Sequence, residues 1–369
     1  MWILLVASLI IVSALTIIQT PREWLKHKVP RILLMIYHTI GLSSIFLILF
    51  VVYRIKDGVI REAIIWTETC YFTLTMYSLV LSTIRYLAFE HARHFKHKKV
   101  LDILKNHVVF YLVVVGISIA YMIPSTYNAL NIRTVKYDIT IEKNISAEQF
   151  KVALVSDFHV GAGARHKEMD KMVELLTSSK PDLILIGGDV CDSSSSLYDL
   201  EYLESTLKKL DCKFGVYYAE GNHEVECRYD VTPYLERAGV TILKDKGIKL
   251  ENGVNIIGRM NSLSVSTEQI MEECGLTPSD PTIVLQHQPK DLENLGKVAD
   301  LVLCGHTHGY QFPFLGILMP YDRKISFGHR MFGDANVIVS AGVAEWGYRT
   351  KWPSKSDVTI VNINFKEVE

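Results

Sequence analysis

Eight polar residues sit directly behind short apolar runs, and their side chains are of metal-binding and proton-transfer types. Asp157 and His159 follow "KVALVS", and Asp189 follows "DLILIGG". Asn222 and His223 follow "FGVYYAEG", His287 follows "TIVLQ", and His306 and His308 follow "LVLCG". Taken singly, an aspartate at such a position is most simply a turn former or helix cap. A single histidine there is most simply a satisfied hydrogen-bonding group, and His306 with His308 fits a polar turn as well as a ligand pair. Jointly they read differently, because independent turns would not reproduce a complete oxygen–nitrogen set in order. Imidazole with carboxylate suits Mn, Fe or Zn, whereas an all-oxygen set suits Mg or Ca.

Such groups need rigid elements to converge. From Lys151 onward, β-branched runs alternate with helical patterns such as "KEMDKMVELLTSSKP" and "LYDLEYLESTLKKL". Further runs are "NVIVSAG" and "VTIVNINF". Strands that are apolar on both faces and alternate with helices predict an α/β domain with covered sheets. In such sheets functional groups collect at the carboxyl ends of strands. Gly187, Gly188, Gly221 and Gly305 fit sharp exits and close backbone approach there.

The motifs "SDFH", "GGDV", "GNHE", "QHQP" and "GHTHG" resemble, in that order, the five motifs of the calcineurin-like metallophosphoesterase superfamily. The resemblance runs from about residue 150 to the C-terminus. The "GHTHGYQFPF" continuation and an apolar N-terminal region are similar to YkuE/YaeI-like phosphoesterases and to transmembrane proteins with a metallophosphoesterase domain. It implies two packed mixed β-sheets flanked by helices, and a site for two divalent transition-metal ions. Asp157, His159 and His308 would bind one ion, and Asn222, His287 and His306 the other, with Asp189 bridging. His223 matches the family histidine that protonates the leaving oxygen. Paired cations about 3.5–4 Å apart bring bound water from a pKa of about 15.7 towards neutrality and clamp phosphoryl oxygens. Glu224 has two readings, a support behind these ligands and a solvated residue opening a helix. Arg165 in "GAGAR" is a candidate phosphate-binding residue, with a solvated loop arginine as the simpler reading.

The first third of the chain is of another kind. Four segments, near Trp2–Ile18, Ile32–Tyr53, Ala63–Ile84 and Val108–Ile123, approach the roughly 20 apolar residues that a spanning helix needs. These predict an all-α transmembrane bundle of four helices over 1–124, a juxtamembrane linker over 125–149 and the phosphoesterase domain over 150–369. Glu68 interrupts the third segment, where a headgroup position is a simpler reading than the bundle interior. The first loop carries Arg22, Lys26, Lys28 and Arg31, and the third carries Arg85, Arg93, Lys96, Lys98, Lys99 and Lys105. The positive-inside rule places both in the cytoplasm. An even number of spans then puts the phosphoesterase domain on the extracytoplasmic side.

A net charge of −1 gives no basis for a nucleic-acid partner. The expected partners are the bilayer and a phosphate-ester substrate, with a phospholipid head group or lipid-linked phosphodiester suggested by proximity. Two alternatives are a broad phosphomonoesterase or nucleotidase, and a silent membrane scaffold or sensor on the same fold. The apolar run "QFPFLGILMP" behind the last motif reads either as core or as a lip that touches lipid.

Overall fold

The computed structural model describes residues 59–143, 145, 149–161, 163–309, 311 and 325–366. The chain divides into two compact units, Met1–Pro124 and Ser125–Glu369. The expected spans Trp2–Ile18 and Ile32–Tyr53 lie outside the described residues, as does most of "QFPFLGILMP".

In the first unit the third and fourth apolar segments are helical. The helix Val59–His94 is longer than the expected span and carries the basic His91, Arg93 and His94 in its last turn. Thr67 and Thr69 donate their hydroxyls to Ala63 O and Ile65 O, each at 2.7 Å, so these threonines satisfy themselves along the helix. Glu68 is buried, which favours an interior position over the headgroup position. A short helix, Lys98–Lys105, follows, and Arg85 donates to its Leu104 carbonyl at 2.5 and 2.8 Å. The helix His107–Leu130 runs on past the expected end at Ile123, with Pro124 inside it. Proline lacks the amide donor of a helix interior, and the division between units falls at this residue. Among the described residues, Ile60–His94 and Val109–Leu130 are long and apolar enough to cross a membrane.

Among the described residues, the second unit is a sandwich of two six-stranded mixed sheets. The strands are β1 (Arg133–Glu142), β2 (Gln149–Val155), β3 (Leu183–Ile186), β4 (Val216–Tyr218), β5 (Val240–Ile242) and β6 (Lys246–Lys249). They continue with β7 (Asn255–Arg259), β8 (Thr282–Gln286), β9 (Leu301–Cys304), β10 (Gly328–Phe332), β11 (Ala335–Val339) and β12 (Asp357–Lys366). One sheet has the order β1-β12-β2-β3-β4-β5 and the other β10-β11-β9-β8-β7-β6. Within them β2, β3, β4 and β5 are mutually parallel, as are β7, β8, β9 and β11. In the segment expected as a linker, residues 133–142 form β1, paired over its whole length with β12.

Strand alternation explains the layers. Val152, Leu154, Leu183 and Leu185 of one sheet meet Ile283, Leu285, Leu301 and Leu303 of the other in a central core. The alternate residues Ala153, Val155, Ile184 and Ile186 face outward to Met169, Met172 and Leu176 of the helix His166–Ser179, and to Leu200 and Leu203 of Leu197–Leu207. On the other side, Val284, Val302 and Cys304 pack with Ile270, Met271, Leu292 and Leu295. The result is helix, sheet, sheet, helix, with strand carboxyl ends supplying the loops that hold the expected ligands.

Candidate metal centre

Each expected ligand sits on a tight exit from a parallel strand. Asp157 and His159 leave β2, Asp189 leaves β3, Asn222 leaves β4, His287 leaves β8, and His306 and His308 leave β9. Asp157, His159, Asp189, His306 and His308 have left-handed backbone, with φ of 57°, 46°, 52°, 73° and 48°. Such conformations cost on the order of 1–3 kcal/mol per residue and persist only where the surroundings impose them. Here cross-loop hydrogen bonds do so. Asp157 N donates to Gly188 O and His159 N to Asp189 O, both at 3.0 Å, while His306 N reaches Asp157 Oδ1 at 3.0 Å. Two glycines permit this crowding. A Cβ on Gly221 would lie 2.1 Å from Asp189 Oδ1, and one on Gly305 would lie 1.9 Å from Ser156 Oγ.

The side chains form two groups, each with ligand atoms within 4.8 Å of one another. Asp157, His159 and His308 make the first, and Asp189, His287 and His306 the second. Each group draws ligands from both sheets. In the first, His308 Nε2 lies 3.5 Å from Asp157 Oδ1 and 3.3 Å from His159 Nε2. In the second, His287 Nε2 lies 2.9 Å from Asp189 Oδ2 and 3.2 Å from His306 Nδ1. Asp189 Oδ2 is also 3.7 Å from His159 Nε2, so this carboxylate stands between the groups.

The outward ring nitrogens identify what the centre fits. His287 Nδ1 faces Gly187 O at 2.7 Å, His308 Nδ1 faces Ala344 O at 3.1 Å, and His159 Nδ1 faces Asp192 Oδ2 at 3.3 Å. Acceptors there hold the proton on Nδ1 and turn each Nε2 lone pair inward. Inward lone pairs set against carboxylates and one another repel unless a proton or a cation lies between them. The donor chemistry therefore fits divalent cations that take nitrogen with oxygen.

Electrostatics keep two of the rings, His308 and His306, in the neutral form. Burial lowers the pKa of His308 to about 3 and of His306 to about 4, so both rings are neutral around pH 7. For Asp189, burial pushes the carboxyl up, but the neighbouring His287 and His159 outweigh it and hold it well below the usual range. His287 is lowered by burial yet drawn up to about 10 by Asp189. A cation entering the second group would therefore displace a proton from His287. Burial and then Asp189 push Glu224 up to about 7, and it accepts from Val190 N at 2.7 Å and Gly221 N at 2.9 Å. Of its two readings, Glu224 takes the supporting one, tying the β3 exit to the β4 exit.

Asn222 is partly buried, and its Oδ1 accepts from Gln288 Nε2 at 3.2 Å. His223 donates its backbone N–H to Asp189 Oδ1 at 2.8 Å, its ring lies 4.9 Å edge-on from that of His159, and its Nδ1 is 3.2 Å from Glu226 Oε2. Arg165 opens the helix His166–Ser179 and binds Glu168 at 2.5 and 3.0 Å, outside both ligand groups. Sequence reasoning missed Asp192, Gln288 and the Ala344 carbonyl. Asp192, three residues beyond Asp189, left a faint signal, whereas a backbone carbonyl leaves none.

Residues 150–310 match the family described as calcineurin-like phosphoesterase. An uncharacterized metallophosphoesterase of Aquifex aeolicus is 28% identical over 247 residues, which cover 64% of this chain and 93% of that protein. A transmembrane protein with metallophosphoesterase domain from Bos taurus is 28% identical over 243 residues, 58% of this chain and 53% of that relative. The uncharacterized metallophosphoesterase YkuE of Bacillus subtilis is 25% identical over 226 residues, 58% of this chain and 79% of that protein. With its motifs gathered at the strand ends and all of them inside the matched stretch, residues 150–310 carry a calcineurin-like metallophosphoesterase domain.

Proposed function

We propose that the protein is a membrane-anchored phosphoesterase working with two divalent ions, its substrate a phosphate ester at or near the bilayer. The observation that carries this reading is Asp189, whose carboxylate lies between the two ligand groups, 2.9 Å from His287 and 3.7 Å from His159. Two bound ions of the Mn, Fe or Zn kind would supply a hydroxide nucleophile at neutral pH and neutralise charge on the phosphoryl group.

The protein's own part is to hold and to protonate. Asp157, His159 and His308 would hold one ion, and Asn222, His287 and His306 the other, with Gln288 orienting the Asn222 amide. His223 would deliver a proton to the leaving oxygen. Glu226 Oε2, 3.2 Å from its Nδ1, would fix the ring's orientation for that delivery. Arg165 remains a candidate for substrate phosphate only if it can exchange Glu168 for it.

The two apolar helices support an anchored enzyme. Four spans, with the phosphoesterase domain outside, is the arrangement that the basic loops favour. Anchoring favours a phospholipid head group or lipid-linked phosphodiester over a soluble nucleotide.

The test is elemental analysis of the purified full chain, alongside turnover on paired monoester, diester and lipid-phosphate substrates. Two transition ions per chain are expected. Asp189→Asn should lose metal at both positions and abolish turnover, and unchanged turnover in that variant would remove the shared-carboxylate reading. A chain that takes up no ions would point to the scaffold instead.

A further inference from the structure

The loop between β11 and β12 carries no expected ligand, yet it touches the first ligand group at two points and the residue before Asp157 at a third. Val343 N donates to Ser156 O at 2.9 Å, and Ala344 N to Asp157 O at 3.1 Å. The Ala344 carbonyl accepts from His308 Nδ1 at 3.1 Å. This loop therefore sets the backbone of Asp157 and the ring plane of His308.

A lysine lies folded beneath it. Lys351 is 0% exposed, and its Nζ donates to Ala341 O at 2.6 Å and Gly342 O at 2.8 Å. Burial lowers its pKa to about 8, and Glu345, Asp357 and Asp157 only partly offset that cost. Gly342 is left-handed, with φ of 83°, and a Cβ there would lie 2.7 Å from Asp157 Cβ. The two carbonyls that Lys351 gathers thus belong to a stretch packed closely against Asp157. Burying an ammonium group is costly, and a methionine would fill similar space without that cost. Packing alone does not account for a lysine here.

The backbone of the same residue is fixed from the other side. Lys351 N donates to Ser125 O at 3.0 Å, and Asn128 Nδ2 donates to Lys351 O at 3.4 Å. Ser356 adds bonds to Asn128 O at 3.0 Å and Ala129 O at 2.7 Å. Lys351 is therefore held at its main chain by residues 125–129 and holds the ligand loop through its side chain.

We infer that Lys351 is a positioning residue for the group formed by Asp157, His159 and His308, acting through the carbonyls of Ala341 and Gly342. The assignment rests on the two-ion reading above. Its test is Mn²⁺ binding to the metal-stripped full chain in detergent, followed by titration and elemental analysis, with the stripped chain's melting temperature measured in parallel. Wild type should take two ions. Lys351→Met should keep one as in wild type and bind the other about tenfold or more weakly, the usual effect of removing a ligand's support. Lys351→Gln, which keeps one donor, should fall between them, and it decides the matter if the methionine variant does not fold. Two ions bound as in wild type would overturn the assignment. So would equal weakening of both ions with a lower melting temperature, because that describes a general structural role. A wild-type chain that takes fewer than two ions would sink the two-ion reading itself, and this assignment with it.

Discussion

His223 stands apart from the other seven residues because the proposal gives it a proton to deliver and no ion to hold. Its ring meets His159 edge-on at 4.9 Å and Trp346 at 5.8 Å, with Glu226 at Nδ1. His223→Ala should therefore keep both ions and lose most turnover, on the order of 10²–10⁴-fold for a general acid. The loss should be smaller for esters with good leaving groups, and rates across a leaving-group series would check it. Equal losses across the series would remove the acid role. At this scale the sequence was informative where chemistry interrupts hydrophobicity. Asp157, Asp189 and His287 are conspicuous because they break runs of Leu, Ile and Val. Lys351 is not, since "YRTKWPSK" reads as a solvated loop and only the fold of residues 340–356 buries its charge.

Among the elements, β2, β3, β8 and β9 were legible because strands covered on both faces are continuous apolar runs. The strand β1 was not. Its sequence "RTVKYDITIE" alternates charge with apolar residues, only Ile139 and Ile141 are buried on it, and its partner β12 lies more than 200 residues further along the chain. Local pattern cannot announce such a pairing, so the segment resembled a linker. The helix end at Ser125–Ala129 escaped for a related reason, its bonds to Lys351 and Ser356 being tertiary. A chain beginning at residue 150 lacks both elements and leaves the ten-residue edge of β12 open. It should be less soluble and melt lower than a chain beginning at residue 125, as thermal melting and sedimentation of the two would show.

For the whole molecule, the proposed topology rests on ten basic residues in two loops of like orientation. Protease added to intact cells should release the phosphoesterase domain. Complete protection, with cleavage only after lysis, would reverse the orientation. The two ligand groups carry a consequence of their own. Each draws from both sheets, so an ion in the first would join Asp157 to His308, and one in the second Asp189 to His306. Both close spans of more than a hundred residues, as a disulfide would, and so restrict the unfolded chain while fastening the sandwich at one rim. With both ions bound as proposed, metal content and resistance to unfolding would be coupled: a cell short of the right ion would lose folded protein as well as turnover.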